Sequence, residues 1–435
     1  MVPIHHKYLE VVRKSQWLAP GDLLAYQAGL IAGIAQHAFE HVPFYRPRLA
    51  PLFGSGGIDL QAWHEIPILS RAEVLENLDA IRALAVPLAA ARDSEGITSG
   101  TSGAALRFVQ SEIAGIASRC MIERMYESHK INKTAHLARI YLPPKGSSAD
   151  YPDGAEDHGW NLTHPTARHS KLSIHSTVAE QAEWLERRAP AYLTTYQSTA
   201  AALALHFMSR GRTLPLRAVF TSGETVDAAT RDDVRKAFGC AIIDRYATNE
   251  IGHVASQCPT EGGYHVCAES VLLELLDADG NDVAPGEPGR VVLTSLYNFA
   301  MPFIRYDIGD FAIAAEGGCS CGSVLPRLSA ILGRQRNVFT FPDGSQHSPW
   351  KWRAMFRQHL PAAQMQIVQT APDCIELRYV PQAGAAAPDA AAIEAIGRKA
   401  VHPGVTVKPV PVDKIERHAS GKIEDCVSLV TPARG

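Results

Sequence analysis

The stretch over 176–243 constrains the fold most. A helical run over 176–188 is followed by short β-rich runs at 216–221 and 241–243. Helices that alternate with short apolar strands suit a largely parallel sheet, because parallel neighbours need a crossover and a helix usually supplies it. The pattern then changes. Two apolar strands, 271–276 and 291–296, flank the turn-rich 277–289 and predict an antiparallel excursion. After Gly333 it changes again, to a strand pair around 364–370 and 374–380, a Gly/Ala/Pro linker at 382–388, a helix over 389–400 and a strand over 405–411. A small α+β domain of about 100 residues closes the chain. Upstream, from about 18 to 88, Ala25, Leu30, Ile31, Ile34 and Phe39 recur at three- and four-residue spacing, interrupted by Pro43, Pro47 and Pro51, which predicts short helices and turns.

Composition excludes several function classes. A chain of 435 residues with 46% apolar and 20% charged residues is an ordinary globular protein, of two to four domains at about 100–200 residues each. Forty-two Lys+Arg against 45 Asp+Glu leave a net charge of −3. That balance gives no electrostatic footprint for nucleic acid or an anionic membrane. No stretch reaches about 18 uninterrupted apolar residues, so no membrane span is expected. Residues 1–15 mix charged and apolar groups without the apolar core of a secretory signal. Eight cysteines in such a chain predict reduced thiols and a cytoplasmic setting.

The segment Ile97-Thr98-Ser99-Gly100-Thr101-Ser102-Gly103 combines glycines with hydroxyl residues. Its backbone N–H groups and hydroxyls can converge on phosphate oxygens, as in other anion-binding nests; a surface turn is the other reading of these residues. It lacks the GxxxxGK[ST] pattern of nucleotide triphosphatases. Three further motifs come after it in order: Tyr246-Ala247-Thr248-Asn249-Glu250 after a short apolar strand, Arg305-Tyr306-Asp307-Ile308-Gly309-Asp310 after the antiparallel pair, and Ser420-Gly421-Lys422 near the C-terminus.

Taken together, these four motifs resemble the adenylate-forming superfamily of acyl-CoA synthetases and nonribosomal adenylation domains. Within it the chain is most similar to the phenylacetate–CoA ligase branch, which is short and carries a Cys-rich insertion. The resemblance runs from about Asp93 to the C-terminus. It implies an α/β fold with a large N-terminal domain of mixed sheets over 1–334 and a small mobile α+β domain over 337–435. It implies that Thr98, Ser99, Gly100, Thr101, Ser102 and Gly103 hold the ATP phosphates and that Tyr246 stacks near adenine. Glu250 then stands where the family's glutamate coordinates Mg²⁺, Asp310 where a carboxylate binds the ribose hydroxyls, and Arg334 where an arginine lies near ribose and phosphate. Lys422 matches the lysine that bridges the carboxylate and the α-phosphate during adenylation.

Elementary chemistry agrees with these roles. Carboxylate attack on an α-phosphate brings two negative groups together, which calls for Mg²⁺ and a deliverable cation. Lys422 follows Ser420-Gly421 at a flexible tip, so it can be brought up and withdrawn. The sequence also departs from the family. Ala104-Ala105-Leu106 replaces the usual Pro and Lys after the phosphate loop, leaving backbone or Arg107 to assist; Ala247 replaces a glycine; and Arg336 stands at the aspartate hinge position.

Cys258-x6-His265 and Cys319-x-Cys321 offer three thiolates and one imidazole, enough for a closed tetrahedral zinc site within an insertion over 258–321. The strand pair 271–296 between them is a means of joining the halves. Cys267 competes as a ligand, since two residues after His265 it would face the same side of a strand, and a cluster of buried free thiols is the alternative. Cys120, Cys240, Cys374 and Cys426 read as core residues, and His418 as a surface residue.

For the acid pocket the resemblance points to Tyr196, Gln197, Ser222, Gly223, Glu224 and Ala247. Thr221-Ser222-Gly223-Glu224 is similar to a glycine–glutamate motif of the family, whose glycine lets a flat acid approach the backbone. Tyr141 and Tyr196 suit an aryl group by offset stacking. Arg305 is expected to pair structurally with Asp307 or Asp310. The expected reaction is ATP-dependent formation of an aryl-AMP and transfer of the acyl group to coenzyme A. Transfer to a carrier-protein phosphopantetheine or an amine is the alternative, and a non-catalytic nucleotide- or zinc-binding scaffold is a third reading. A homodimer is common in the branch.

Overall fold

The computed structural model describes residues 4–430 apart from 55, 88–92, 98–104, 144–145, 147, 335–337, 348, 350–351, 361, 383–385 and 419–420. The chain forms two compact units: residues 1–133, 161–163 and 245–331 make the first, and 134–160, 164–244 and 332–435 the second. The architecture is mixed α/β, as expected.

In the first unit the start of the 18–88 stretch forms one helix of 22 residues, Pro20–His41, instead of short ones, and the expected short helices follow it, among them Tyr45–Arg48, Arg71–Glu76 and Leu78–Ile81. Pro20 sits at the start, where its missing N–H has no intrahelical partner to lose. The next proline, Pro43, falls beyond the C-cap residue Val42, so the helix runs uninterrupted. Leu23, Ile31, Ile34, Ala35 and Ala38 lie buried along it, on the face that three- and four-residue spacing aligns. The unit's sheet runs in the order Val271–Leu276, Pro288–Ser295, Tyr306–Ala314, Arg327–Arg334, Tyr264–Val266, Gly252–Gln257, Ile242–Thr248. The predicted strand pair is present and antiparallel, from Val271 opposite Ser295 to Leu276 opposite Arg290. A second hairpin pairs Asp93–Ile97 with Arg107–Ser111, ending with Ile97 opposite Arg107. Val254, Val266, Val291, Leu293, Phe303 and Tyr306 form the centre of this unit's core.

Arg305 is a structural residue, as expected, but with another partner. Its guanidinium is 3% exposed and lies 3.0 Å from Glu274, and it donates to the carbonyls of His64 and Ile66. Its positive φ of 49° turns the side chain to Glu274 instead of to the carboxylates that come after it in sequence.

In the second unit Ala218–Ser222, Tyr192–Thr195, Leu137–Tyr141 and Arg168–Ser173 pair in parallel, with Ala155–His158 antiparallel at the edge. All of Tyr192–Thr195 is buried, which is why it reads as a continuous run without alternation. The helix Val178–Arg188 starts on a reciprocal capping box between Thr177 and Glu180, worth about 1 kcal/mol. The second sheet of this unit runs Thr406–Pro411, Cys374–Pro381, Ala362–Ala371, Cys426–Ser428. With the helix Ala390–Ala400, capped by Asp389, it forms the α+β portion that the sequence predicts. Cys120, Cys240 and Cys426 are buried, whereas Cys374, at a strand end, is half-buried. No helix among the described residues is long and apolar enough to cross a membrane.

Candidate functional site

In the first unit the strand Ile242–Thr248 carries Tyr246, and the strand Tyr306–Ala314 carries Asp310. The Tyr246 hydroxyl donates to Asp310 Oδ2 at 2.7 Å, so two residues expected to contact adenine and ribose meet directly. The ladder shifts register between Tyr246 and Ala247, a bulge that re-aims the side chains beyond it. Glu250, in the turn after this strand, is 5% exposed, with Arg71 Nη1 3.7 Å from its carboxylate. Thr98 to Gly103 and Arg336 lie outside the described residues.

The first unit also gathers Cys258, His265, Cys319 and Cys321, whose ligand atoms all lie within 4.8 Å of one another. Cys258 Sγ is 3.5 Å from Cys319 Sγ, and Cys321 Sγ is 3.3 Å from His265 Nε2. Tetrahedral zinc with Zn–S near 2.3 Å and Zn–N near 2.0 Å sets such pairs about 3.5–3.8 Å apart, so the donor set fits that ion. The halves are joined by Tyr264–Val266 pairing with Arg327–Arg334, His265 opposite Arg327, instead of by the predicted strand pair. Burial alone would push the Cys258 thiol up, but hydrogen bonds from Thr260 and from the Glu261 and Thr260 N–H groups hold it below its ordinary value. Burial pushes Cys319 up to about 12. Burial lowers His265, which favours the neutral, ligating imidazole.

Cys267 is not part of the cluster. The strand ends at Val266, which breaks the alternation that would have placed Cys267 beside His265. The thiol is fully buried, packed with Leu9, Val12, Ile116, Cys120 and Met121, and burial pushes it up to about 12. Glu261 escaped sequence analysis. It accepts from the Ser320 N–H at 2.6 Å and pairs with Arg327, bracing the Cys319–Cys321 turn. Hydrogen bonds from Ser320 hold its carboxyl down at about 2. An acid between two metal-type ligands was the available signal.

In the second unit Ser222 ends the strand Ala218–Ser222, and Gly223 is next with φ +82°. A Cβ on Gly223 would lie 2.7 Å from both Cε and Nζ of Lys422, so the missing side chain is what admits the lysine. Tyr196 is buried and packs edge-on against Tyr141, ring centroids 4.6 Å apart. Gln197 is fully buried and donates to Thr230 Oγ1 at 2.7 Å. The Glu224 carboxylate accepts from the Ser198 N–H at 2.7 Å and from the Ile423 N–H at 2.8 Å. Arg334 is exposed at the end of its strand. His418 is half-buried and Nε2 lies 2.8 Å from Glu424. Arg417, which sequence analysis passed over, donates to the Gly421 carbonyl at 2.8 Å; its place just ahead of Ser420-Gly421-Lys422 was the signal.

No family model matches the chain. It is superposable on a crystal structure of 2-hydroxyisobutyryl-CoA ligase in the postadenylation state, in complex with R3-HIB-AMP, with a TM-score of 0.74 at 19% identity, covering 95% of this chain and 91% of that one. The fold is that of the adenylate-forming enzymes. In sequence the chain is similar to phenylacetate–CoA ligases. It shares 32% identity over 152 residues with the one from Thermus thermophilus, 33% of this chain and 34% of that relative. With the one from Escherichia coli K12 it shares 23% over 345 residues, 74% of this chain and 75% of the relative. The match to the Thermus relative thus spans about a third of that protein's length.

Proposed function

We propose that the protein uses ATP to convert an aromatic carboxylic acid to its acyl-AMP and then passes the acyl group to coenzyme A. The observation that carries this reading is the placement of Lys422 against Gly223, two residues far apart in sequence and each matched to a motif of the adenylate-forming enzymes. In the first half-reaction a carboxylate oxygen bonds to the α-phosphorus and the bond to pyrophosphate breaks. Lys422 supplies positive charge where the two anions meet, which is where preorganised charge has its largest effect. In the second, the coenzyme A thiolate bonds to the acyl carbon and AMP leaves. The reading gives adenine and ribose to Tyr246 and Asp310 and phosphate contact to 98–103 and Arg334, and has the portion 337–435 rotate about the 333–337 region, with Arg336 at the hinge, between half-reactions.

Mg²⁺, which takes oxygen ligands from a carboxylate and substrate phosphates, would be held by Glu250, a buried carboxylate, and would neutralise phosphate charge. Zinc would be held by Cys258, His265, Cys319 and Cys321. Four protein donors leave no open position, so its contribution is structural. Phenylacetate in the names of the Thermus and Escherichia relatives supports the aromatic class, and the Tyr141–Tyr196 pair is consistent with it.

The test is mass spectrometry of the protein incubated with ATP, Mg²⁺ and a pool of benzoic, phenylacetic, hydroxybenzoic and anthranilic acids, with and without coenzyme A. An aryl-CoA mass is expected. Acyl-AMP that never moves to coenzyme A would redirect the second step to a carrier-protein thiol or an amine. Absence of any AMP product would sink the aromatic-acid reading.

A further inference from the structure

We propose that Glu224 and Arg417 are positioning residues that latch the Lys422 loop in its adenylating place, Glu224 from outside the loop and Arg417 from within it. The inference rests on the function proposed above and assigns to Glu224 a role other than contact with the acid.

The loop is closed by its own hydrogen bonds: the His418 N–H donates to the Lys422 carbonyl at 2.9 Å and the Gly421 N–H to the His418 carbonyl at 2.8 Å. Gly421 has φ +80°, and a Cβ there would come within 3.1 Å of Ile174 and 3.4 Å of the Tyr196 ring. This peptide can therefore sit close to the wall of the second unit. Arg417 then ties the loop down on one side of Lys422. Its guanidinium reaches the Gly421 carbonyl at 2.8 Å, Thr199 Oγ1 at 3.2 Å and Ser198 Oγ at 3.4 Å.

Glu224 ties it down on the other side. Its Oε1 accepts from the Ile423 N–H at 2.8 Å and from Ser198 Oγ at 3.1 Å, and its Oε2 accepts from the Ser198 N–H at 2.7 Å. Ser198 belongs to the first turn of the helix Gln197–Met208, whose N–H groups lack intrahelical acceptors. One carboxylate thus joins a helix N-terminus to the peptide after Lys422. The peptide after the lysine is fixed from Glu224, 199 residues away, and the one before it by Arg417, which is itself tied to Ser198 and Thr199; bonds so few can be remade at every turnover. A glutamine would set an N–H₂ against one of these donors, and a lysine at 417 lacks the planar fork that serves several acceptors at once.

The half-reactions are measured separately in Glu224→Gln and Arg417→Lys: pyrophosphate release from acid and ATP, and transfer to coenzyme A from supplied acyl-AMP. Acyl-AMP formation is expected to fall tenfold or more in each variant, and transfer by less than threefold. Limited trypsin digestion, mapped by mass, gives a readout that needs no activity; cleavage after Lys422 is expected to quicken at least fivefold in Glu224→Gln. Wild-type rates of acyl-AMP formation, an equal loss of both half-reactions, or an unchanged cleavage rate would each overturn the latch. If wild type itself makes no acyl-AMP, the proposed function fails and the cleavage rate alone decides the latch.

Discussion

Two regions bring distant segments together by opposite means. The Cys258–His265 and Cys319–Cys321 segments are joined by a strand ladder, with four metal-type donors facing one another. The Lys422 loop is joined to Ser198 and Glu224 by hydrogen bonds from single groups. Bonds to charged groups contribute about 1.5–3 kcal/mol each, and they are few enough here for the second joint to be remade as the proposed latch requires. The zinc proposed for those donors would make the first a permanent one. The contrast matches the chemistry proposed for each: a fixed brace for the fold, and a lysine that must arrive and leave.

The sharpest way to break the comparison is at the lysine. Lys422→Ala is expected to lower acyl-AMP formation by about a thousandfold, the scale of losing a charged group that acts in the transition state, while transfer from supplied acyl-AMP stays within a few-fold. Rapid-quench assays of the two half-reactions decide it; parallel loss of both would make Lys422 a structural residue. At the permanent joint, Cys319→Ser should remove zinc and lower Tm together. A loss of about 2–4 kcal/mol corresponds to roughly 5–15 °C for a unit of this size. Metal analysis beside calorimetry tests it, and stoichiometric zinc in the variant would rule out Cys319 as a ligand.

Residues close in sequence were the more legible. The strand pair 271–296, the α+β portion after Gly333 and the cysteine pairs came from spacing, and the motifs located Tyr246 and Asp310, whose hydrogen bond spans 64 residues. Long-range pairing was not legible. Nothing near His265 announced that Arg327 would lie opposite it, and nothing near Arg305 named Glu274. Cys267 was misplaced because alternation holds only while a strand lasts, and this one stops a residue earlier. Glu224 carried a motif identity, but its acceptors are used by donors from two remote segments, which sequence proximity cannot reveal.

Acid should strain both units. His253 in the first is 3% exposed, its Nε2 2.7 Å from Ser256 Oγ, and burial, then Arg245 and Arg124, hold it well below its ordinary value. His169 in the second is 4% exposed and is lowered to about 4 by burial and Arg139. Above an unfolded pKa of about 6.5 each imidazole is neutral in both states, so stability is flat there. As pH falls below that value the unfolded chain takes up the proton and the folded chain does not. Stability therefore drops by up to about 1.4 kcal/mol per pH unit for each histidine. Urea unfolding should show lower stability at pH 5 than at pH 7, with the loss reduced in His253→Asn. A slope unchanged by the substitution would mean that His253 accepts its proton in the fold.

The smallest expected effect separates two ion pairs beside the latch. The helix Trp352–Arg357 carries Arg353 and Arg357. Arg353 lies 2.8 Å from Asp227 and also pairs with Asp425, and Arg357 lies 2.7 Å from Asp233. Burial would raise both aspartates. At Asp227 the Arg353 charge and hydrogen bonds from Thr230 win and the carboxyl falls below its ordinary value; at Asp233 burial wins and the carboxyl rises despite Arg357. Arg353 pairs with two carboxylates and Arg357 with one, so Arg357 is the weaker clamp. Arg357→Ala removes one contact to the C-terminal helix and Arg353→Ala two, so Arg357→Ala should slow acyl-AMP formation less than Arg353→Ala. Raising salt from about 0.05 to 0.5 M shortens the screening length severalfold and should slow adenylation in wild type more than in Arg357→Ala. Equal salt slopes would show that this pair does not help hold the C-terminal portion in place, leaving Glu224, Arg417 and Arg353 to do so.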